Sequence, residues 1–516
     1  MLNSIIGNAL SNLQEENMKT FEFKVGQVFS GKIQHLYPNN MAMVQAGSHS
    51  FIAKLQIPME AGKNYWFQVT SIDGEVHLKQ LVSQSNADNQ STAVLSQLSI
   101  SSTKQHRELV SFFTKEHIPF TKEMVTNMGS WLKEVPDMNK GMQTIKAMIT
   151  NQFPISQDVF RSLTAAEQPI TFHSLLNNLL TQLKNEPQVP STQSMSAIIH
   201  SILESNHLHL AEKVIRQLTN LGQQQNEAAN RILQKIGFVL EPSIADRQQI
   251  DLNENTNPAK PSSMITKETL ESALHKLQPL LFSDLEQGVA NISKEEADLL
   301  KQLLNQANQD VDRADILSQL KATINKLGMF YENEIGQADS FNVEDSLKPL
   351  LVQYLQEVDQ HSKIRDNVEL LLMKMNGQQI LSVEQTAIQQ ILFQIPFQFP
   401  HHQSELTFQW TGKKTEDGKI DSNFCKILFY LQLQYLGDIL IEMNVQHRIV
   451  TLKVSNEHPY LKQMAQPFMP ALKAGLEQLN YTLSSVHYLP FAAHSAKQPN
   501  SVHNAYTNFK GVDIRI

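Results

Sequence analysis

The sequence predicts a multidomain α+β protein with a small N-terminal β-barrel-like domain, a central all-α region and a C-terminal β-β-α-β domain. Three observations predict this. Residues 21–81 break into short alternating stretches separated by Gly, Pro and Asn, as strands joined by turns require. From about 105 to 395, Leu, Ile and Val recur at three- and four-residue spacing, the signature of helices with one apolar face. Residues 436–454, LGDILIEMNVQHRIVTLKV, then read as one clean hairpin. At 516 residues the chain is too long for a single core.

The elements follow in order. Residues 1–20 place Leu2, Ile5, Ile6, Ala9, Leu10 and Leu13 on one helical face opposite uncharged Asn3, Ser4, Asn8 and Ser11, an amphipathic segment suited to docking or to a secretion signal. Residues 21–82 predict five short strands, a barrel of the OB or SH3 kind. Its aromatics, Phe51, Tyr65, Trp66 and Phe67, are assigned to a core or protein contact rather than to base stacking. Lys24, Lys32, Lys54, Lys63 and Lys79 are nearly offset by Glu22, Glu60, Asp73 and Glu75, so no basic groove is expected. Residues 83–104, rich in Ser, Gln and Asn, read as a linker. Residues 105–240 form a first helical region, 241–263 a polar, Pro-bearing linker, and 264–395 a second helical region. Thr266 with Glu268 and Glu271, and Ser293 with Glu295 and Glu296, mark helix starts. A C-terminal domain at 402–490 and a tail at 491–516 complete the chain. In the hairpin, Ile439, Ile441, Met443 and Val445 share a face with Val450, Leu452 and Val454 across a turn at Gln446 to Arg448. The following helical segment covers that face, and YTLSSVHYL returns to strand.

Composition narrows the function. A formal net charge of -8 disfavours a polyanion partner, and no stretch approaches the length of apolar sequence a membrane span needs. Cys425, the single cysteine, sits in the apolar run FCKILFY and reads as a buried structural thiol. The dinucleotide, P-loop, nucleophile-elbow and zinc-helix motifs are all missing. Asp310, Asp312 and Asp315 are only loosely spaced like a calcium loop. Ala314 stands where that loop needs an oxygen donor, and Lys321 where it needs the bidentate Glu. His207 and His209 would point to different sides of a helix, and His401 and His402 lack a third ligand. The expectation is a protein that is not an enzyme, with no cofactor, no metal and no small-molecule substrate.

The stretch from about Ser404 to Pro490 resembles the C-terminal domain of the flagellar hook-length control protein family. The residues that carry the resemblance are Leu436-Gly437, the hairpin 439–454, Pro459, Pro470, Leu472, Leu476, and a turn at Asn480 before YTL. Asn480 stands where the family usually has Gly, and Asn is the next best residue for a left-handed helix end. The family's Pro before Leu-Gly is missing here, where the sequence runs LQLQYLGD. The resemblance implies a bacterial protein acting at the flagellar type III export apparatus, cytoplasmic or itself exported. It also implies a protein-protein role: binding the cytoplasmic domain of the export-gate switch protein, or a paralogue, and switching substrate specificity. The partner surface is placed around Tyr435, Leu436, Gly437 and Phe468. No nucleic acid and no membrane insertion are expected. The alternative is a nucleic-acid-associated protein acting through the barrel.

Overall fold

The structure, a computed structural model, describes residues 23–491 apart from 48, 83–86, 185–189, 239–271, 275, 278–279, 282–291, 310–312, 333–344, 358–363, 383–387, 400–401 and 416–418. The expectations for residues 1–20, 241–263, Thr266, Asp310, Asp312, His401 and 492–516 lie outside the described residues.

Strands β1 (Val28–Tyr37), β2 (Met41–Ala46), β3 (His49–Leu55), β4 (Asn64–Ser71) and β5 (Val76–Val82) close into a barrel in the order β1-β2-β3-β5-β4. All its pairings are antiparallel except β3 with β5. Asn39 and Asn40 both take positive φ and so turn β1 tightly into β2, which is why two adjacent asparagines sit there. The inward residues of the alternating strands, among them Phe29, Ile33, Val44, Phe67, Val69 and Leu78, fill the interior with no exposure above 1%. Gly31 leaves room for them, since a Cβ there would stand 2.8 Å from Val44 Cγ1.

The helices follow as α1 (Ala87–Gln97), α2 (Lys104–Lys115), α3 (Lys122–Trp131), α4 (Met138–Thr150), α5 (Gln157–Glu167), α6 (Phe172–Leu183), α7 (Pro190–Leu203), α8 (Ser205–Gln223) and α9 (Glu227–Ile236). After these come α10 (Lys294–Gln309), α11 (Arg313–Leu327), α12 (Leu347–Glu357) and α13 (Arg365–Leu381). The expected linker at 83–104 is therefore partly helical. Val94, Leu95 and Leu98 give α1 an apolar stripe that is buried beside Leu81 of the barrel and Leu109 and Val110 of α2, and this burial outweighs the polar composition. Thr103, Thr121, Asp137, Ser156, Thr171 and Asn226 each accept a backbone N–H at a helix start. At α10 the expected start is a reciprocal capping box: Glu296 N donates to Ser293 Oγ (3.3 Å), and Ser293 N donates to Glu296 Oε2 (2.8 Å). The barrel is joined to the first helices by backbone bonds between Val28 and Phe120 in both directions and by Trp66, which packs on Phe120.

The C-terminal region is a six-stranded sheet in the order β11-β10-β9-β8-β7-β6, formed by β6 (Ile388–Phe399), β7 (His402–Lys414), β8 (Ile420–Leu433), β9 (Gly437–Gln446), β10 (Ile449–Ser455) and β11 (Thr482–Leu489). Helices α14 (Leu461–Ala465) and α15 (Met469–Glu477), joined by a 3₁₀ turn (Gln466–Phe468), connect β10 to its parallel neighbour β11. The β-β-α-β unit is present as β9-β10-α14/α15-β11, but it is one end of a larger sheet. The expected helical region ending at 395 and the domain start at 402 are corrected: 388–399 is strand β6, paired with β7 along its length. Its Ile391, Phe393, Ile395 and Phe397 alternate, a period of two that a strand uses and a helix does not.

This sheet is not free-standing. Ile395, Phe397 and Leu406 share a core with Leu176, Ile199, Tyr354 and Leu371 of α6, α7, α12 and α13. Glu405 Oε1 accepts from Phe172 N (3.1 Å) at the start of α6, beside Lys374. Burial pushes Glu405 up to about 7 and Lys374 down to about 8. The outer edge of β6 is covered by α13. Gln378 Oε1 accepts from Gln394 N (3.1 Å) while its Nε2 donates to Gln394 O (3.2 Å), and Ser382 Oγ accepts from Leu392 N (2.9 Å) and donates to Leu392 O (3.1 Å). Two side chains thus stand in for a missing strand.

Candidate functional site

The hairpin β9–β10 pairs Val445 with Val450, Met443 with Leu452 and Ile441 with Val454, which sets the expected apolar face in register. His447 and Arg448, both at positive φ, form its two-residue turn. Val445, Val450 and Leu452 are buried on Leu476 of the crossover helix, together with Leu483 and Val486 of β11 and with Cys425. Burial pushes the Cys425 thiol up, which disfavours the thiolate form. Leu476 O closes the end of α15, accepting from Leu479 N (3.0 Å) and Tyr481 N (2.9 Å), and Asn480 takes φ +61, the left-handed end that Asn tolerates.

At the opposite end of the sheet, β8 turns into β9 through Tyr435, Leu436 and Gly437. Gly437 has φ +64, a conformation that favours a residue without Cβ. Asn456, just past β10, pins this turn: its Nδ2 donates to Leu436 O and to Asp438 O, each at 2.7 Å. Tyr435 is 86% exposed at the tip, whereas Leu436 is half-buried. Phe468 is 72% exposed on the 3₁₀ turn midway along the crossover. The turn 435–437 and the start of the crossover therefore meet through Asn456, and Phe468 lies farther along the helix.

Sequence reasoning named Phe468 but missed its neighbours. Tyr460, Met464, Phe468 and Leu472 recur every four residues and are all exposed, with Leu479 beyond them. Only Leu461 of α14 is buried, and α15 buries none of its residues fully. The crossover is thus held to the sheet by few side chains and turns a line of large apolar groups to solvent. Charge along it is sparse: Lys462, Lys473 and Glu477, the last two 3.9 Å apart. The four-residue spacing was visible in the sequence, but which face of the helix met the sheet was not.

The other face of the hairpin is polar. Lys426 Nζ (3.1 Å) and Lys453 Nζ (2.9 Å) flank the carboxylate of Glu442, and Asn444 Nδ2 donates to it (2.8 Å). Burial pushes Glu442 up, but the two lysines and the Asn444 bond outweigh it and hold the carboxyl at about 2. This cluster fixes strand register across β8, β9 and β10. Among the described residues no group of three or more His, Cys, Asp or Glu is placed to hold a metal ion, and no helix is long and apolar enough to cross a membrane.

On the barrel, Phe67 is inside, Phe51 and Tyr65 pack against the same core, and Trp66 is covered by the helices. The outer surface of β1 to β3 shows Lys32, His35, Tyr37, Ile52 and Lys54, and these three strands contain no Asp or Glu.

Residues 5–79 match the family described as the TP0910 S1-like domain. Over 509 residues the chain is 22% identical to the uncharacterized protein YlqG of Bacillus subtilis (strain 168), spanning 89% of this chain and 88% of that protein. No solved structure matches the chain significantly.

Proposed function

We propose that this protein is a non-enzymatic docking protein that resembles hook-length control proteins. In this reading its C-terminal sheet binds the cytoplasmic domain of a flagellar export-gate switch protein, or a paralogue of it, and so modulates which substrates the type III apparatus exports. The observation that carries the reading is the exposed apolar line Tyr460, Met464, Phe468 and Leu472, running from the end of the sheet where Asn456 holds the Tyr435–Gly437 turn. The positive φ at Gly437 and Asn480, two positions that carry the resemblance, supports it. The test is calorimetry of the full chain against the gate-switch cytoplasmic domain of the same organism. Phe468→Ala should weaken binding about tenfold, the size of one apolar anchor near the centre of an interface, with the melting temperature unchanged. A folded wild-type chain that does not bind would end this reading.

A second reading is favoured by one observation, the S1-like match together with the acid-free surface of β1 to β3. In it the barrel binds single-stranded nucleic acid. Phe23, Phe29, Phe51, Tyr65, Trp66 and Phe67 are spent on packing, which leaves Tyr37 as the aromatic on that surface, so affinity at physiological salt should be no better than about millimolar. A fluorescence titration of single-stranded RNA over a salt series separates the readings: micromolar binding with a steep salt slope would put the barrel first.

A further inference from the structure

We infer that the outer edge of β11, which no described strand pairs, is a strand-acceptor site, completed by an extended segment of the partner that pairs with it and enlarges the sheet. The inference rests on the docking reading above and names how that partner is held.

The two edges of the sheet are treated differently. At β6 the outward N–H and C=O of Leu392 and Gln394 are bound by Ser382 and Gln378. At β11, Thr482 N donates to Arg448 O (2.9 Å) and Leu489 O accepts from Asn456 N (3.1 Å), so both residues face β10. The ladder pairs Ser485 with Thr451, His487 with Lys453 and Leu489 with Ser455, after one register shift. Alternation along a strand then turns the N–H and C=O of Val486 and Tyr488 to the open side, where no described strand lies. Exposed edges are ordinarily blunted by charge, proline or a covering segment. The eight residues of β11, TLSSVHYL, contain no Lys, Arg, Asp, Glu or Pro.

What the edge recognises follows from its chemistry. Two outward residues offer four backbone hydrogen bonds, and these fit any extended chain. Two copies of β11 laid edge to edge would share that short run, ended by the register shift at Val450 to Thr451. A partner segment can pair there and also place side chains on the adjoining crossover, where Phe468 and Leu472 are exposed and Tyr488 Oη donates to Met469 Sδ (3.7 Å). The fitting segment alternates: apolar on the side of Val486 and Leu476, polar on the side where Ser485 and His487 bond to each other at 3.0 Å.

The experiment uses the full chain and the gate-switch cytoplasmic domain, with calorimetry and hydrogen exchange of the peptide covering 482–489. Val486→Pro removes an N–H that β10 does not use, and Val486→Ala controls for lost packing. Wild type should bind with slowed exchange at 482–489, V486A should stay within about threefold of it, and V486P should bind at least about tenfold more weakly. Should V486P melt early, exchange in the wild-type complex alone decides. Binding without slowed exchange, or equal affinity for V486P and V486A, overturns strand addition and leaves the docking reading standing. Protection at 482–489 in the free protein that vanishes on dilution assigns the edge to a second copy and overturns the inference. Absence of wild-type binding overturns both.

Discussion

Replacing Gly377 by Ala should destabilise the protein, although helix propensity alone says the reverse. Gly377 lies inside α13, where Ala is favoured over Gly by about 1 kcal/mol. At this position α13 crosses α5, and a Cβ would stand 2.2 Å from the backbone oxygen of Ser162 and 2.8 Å from Ala166 Cβ. A backbone carbonyl inside a helix cannot rotate away, so α13 must move off α5 by roughly an ångström. Overpacking of this kind costs about 1 to 3 kcal/mol, and the upper end applies because the obstacle is main chain. The net expectation is a loss of about 2 kcal/mol. The next residue, Gln378, holds the edge of β6, so the displacement should reach the sheet. Urea denaturation should show a lower midpoint, and hydrogen exchange should show faster opening at 390–396 with the barrel unaffected. A midpoint equal to or above wild type would refute the close-crossing argument, because propensity would then have won.

Three further outcomes follow from the C-terminal sheet and the barrel junction. Glu442 is held below its ordinary range, so its contribution to stability is present above about pH 4.5 and is lost as pH falls toward about 2. Glu442→Gln should remove about 2 kcal/mol at pH 7 and flatten acid unfolding in that window, measured by thermal melts across pH. Gly437→Val should cost about 1 kcal/mol or more, because φ at this position is +64, and a melt at wild-type temperature would contradict it. Trp66→Ala should loosen the barrel from the first helices at a cost of about 3 kcal/mol, since Trp66 fills the junction against Phe120, with tryptophan fluorescence and urea melts as the measure.

The local pattern of the sequence determined much of this protein. Alternation and turn residues defined the barrel strands and the β9–β10 hairpin, since each depends on side chains two residues apart and on a turn between them. The left-handed end at Asn480 was legible for the same reason, because it is a property of a single residue's backbone. Strand β6 was legible in principle, as Phe393, Ile395 and Phe397 alternate, but the Gln and Leu around them blurred the period into a helical reading up to 395. Polar composition hid α1 until Val94, Leu95 and Leu98 found a core to enter. Tertiary structure alone decided the rest. Phe468 could be named from the sequence, but whether Tyr460, Met464 and Leu472 joined it in solvent depended on which face of the crossover met the sheet. Likewise, which sheet edge is sealed depended on Gln378 and Ser382 reaching a strand that follows them in the chain but meets them only through packing. A helix stripe or a strand edge carries no mark of its own partner, because the hydrophobic effect and the backbone hydrogen bond accept any neighbour that fits.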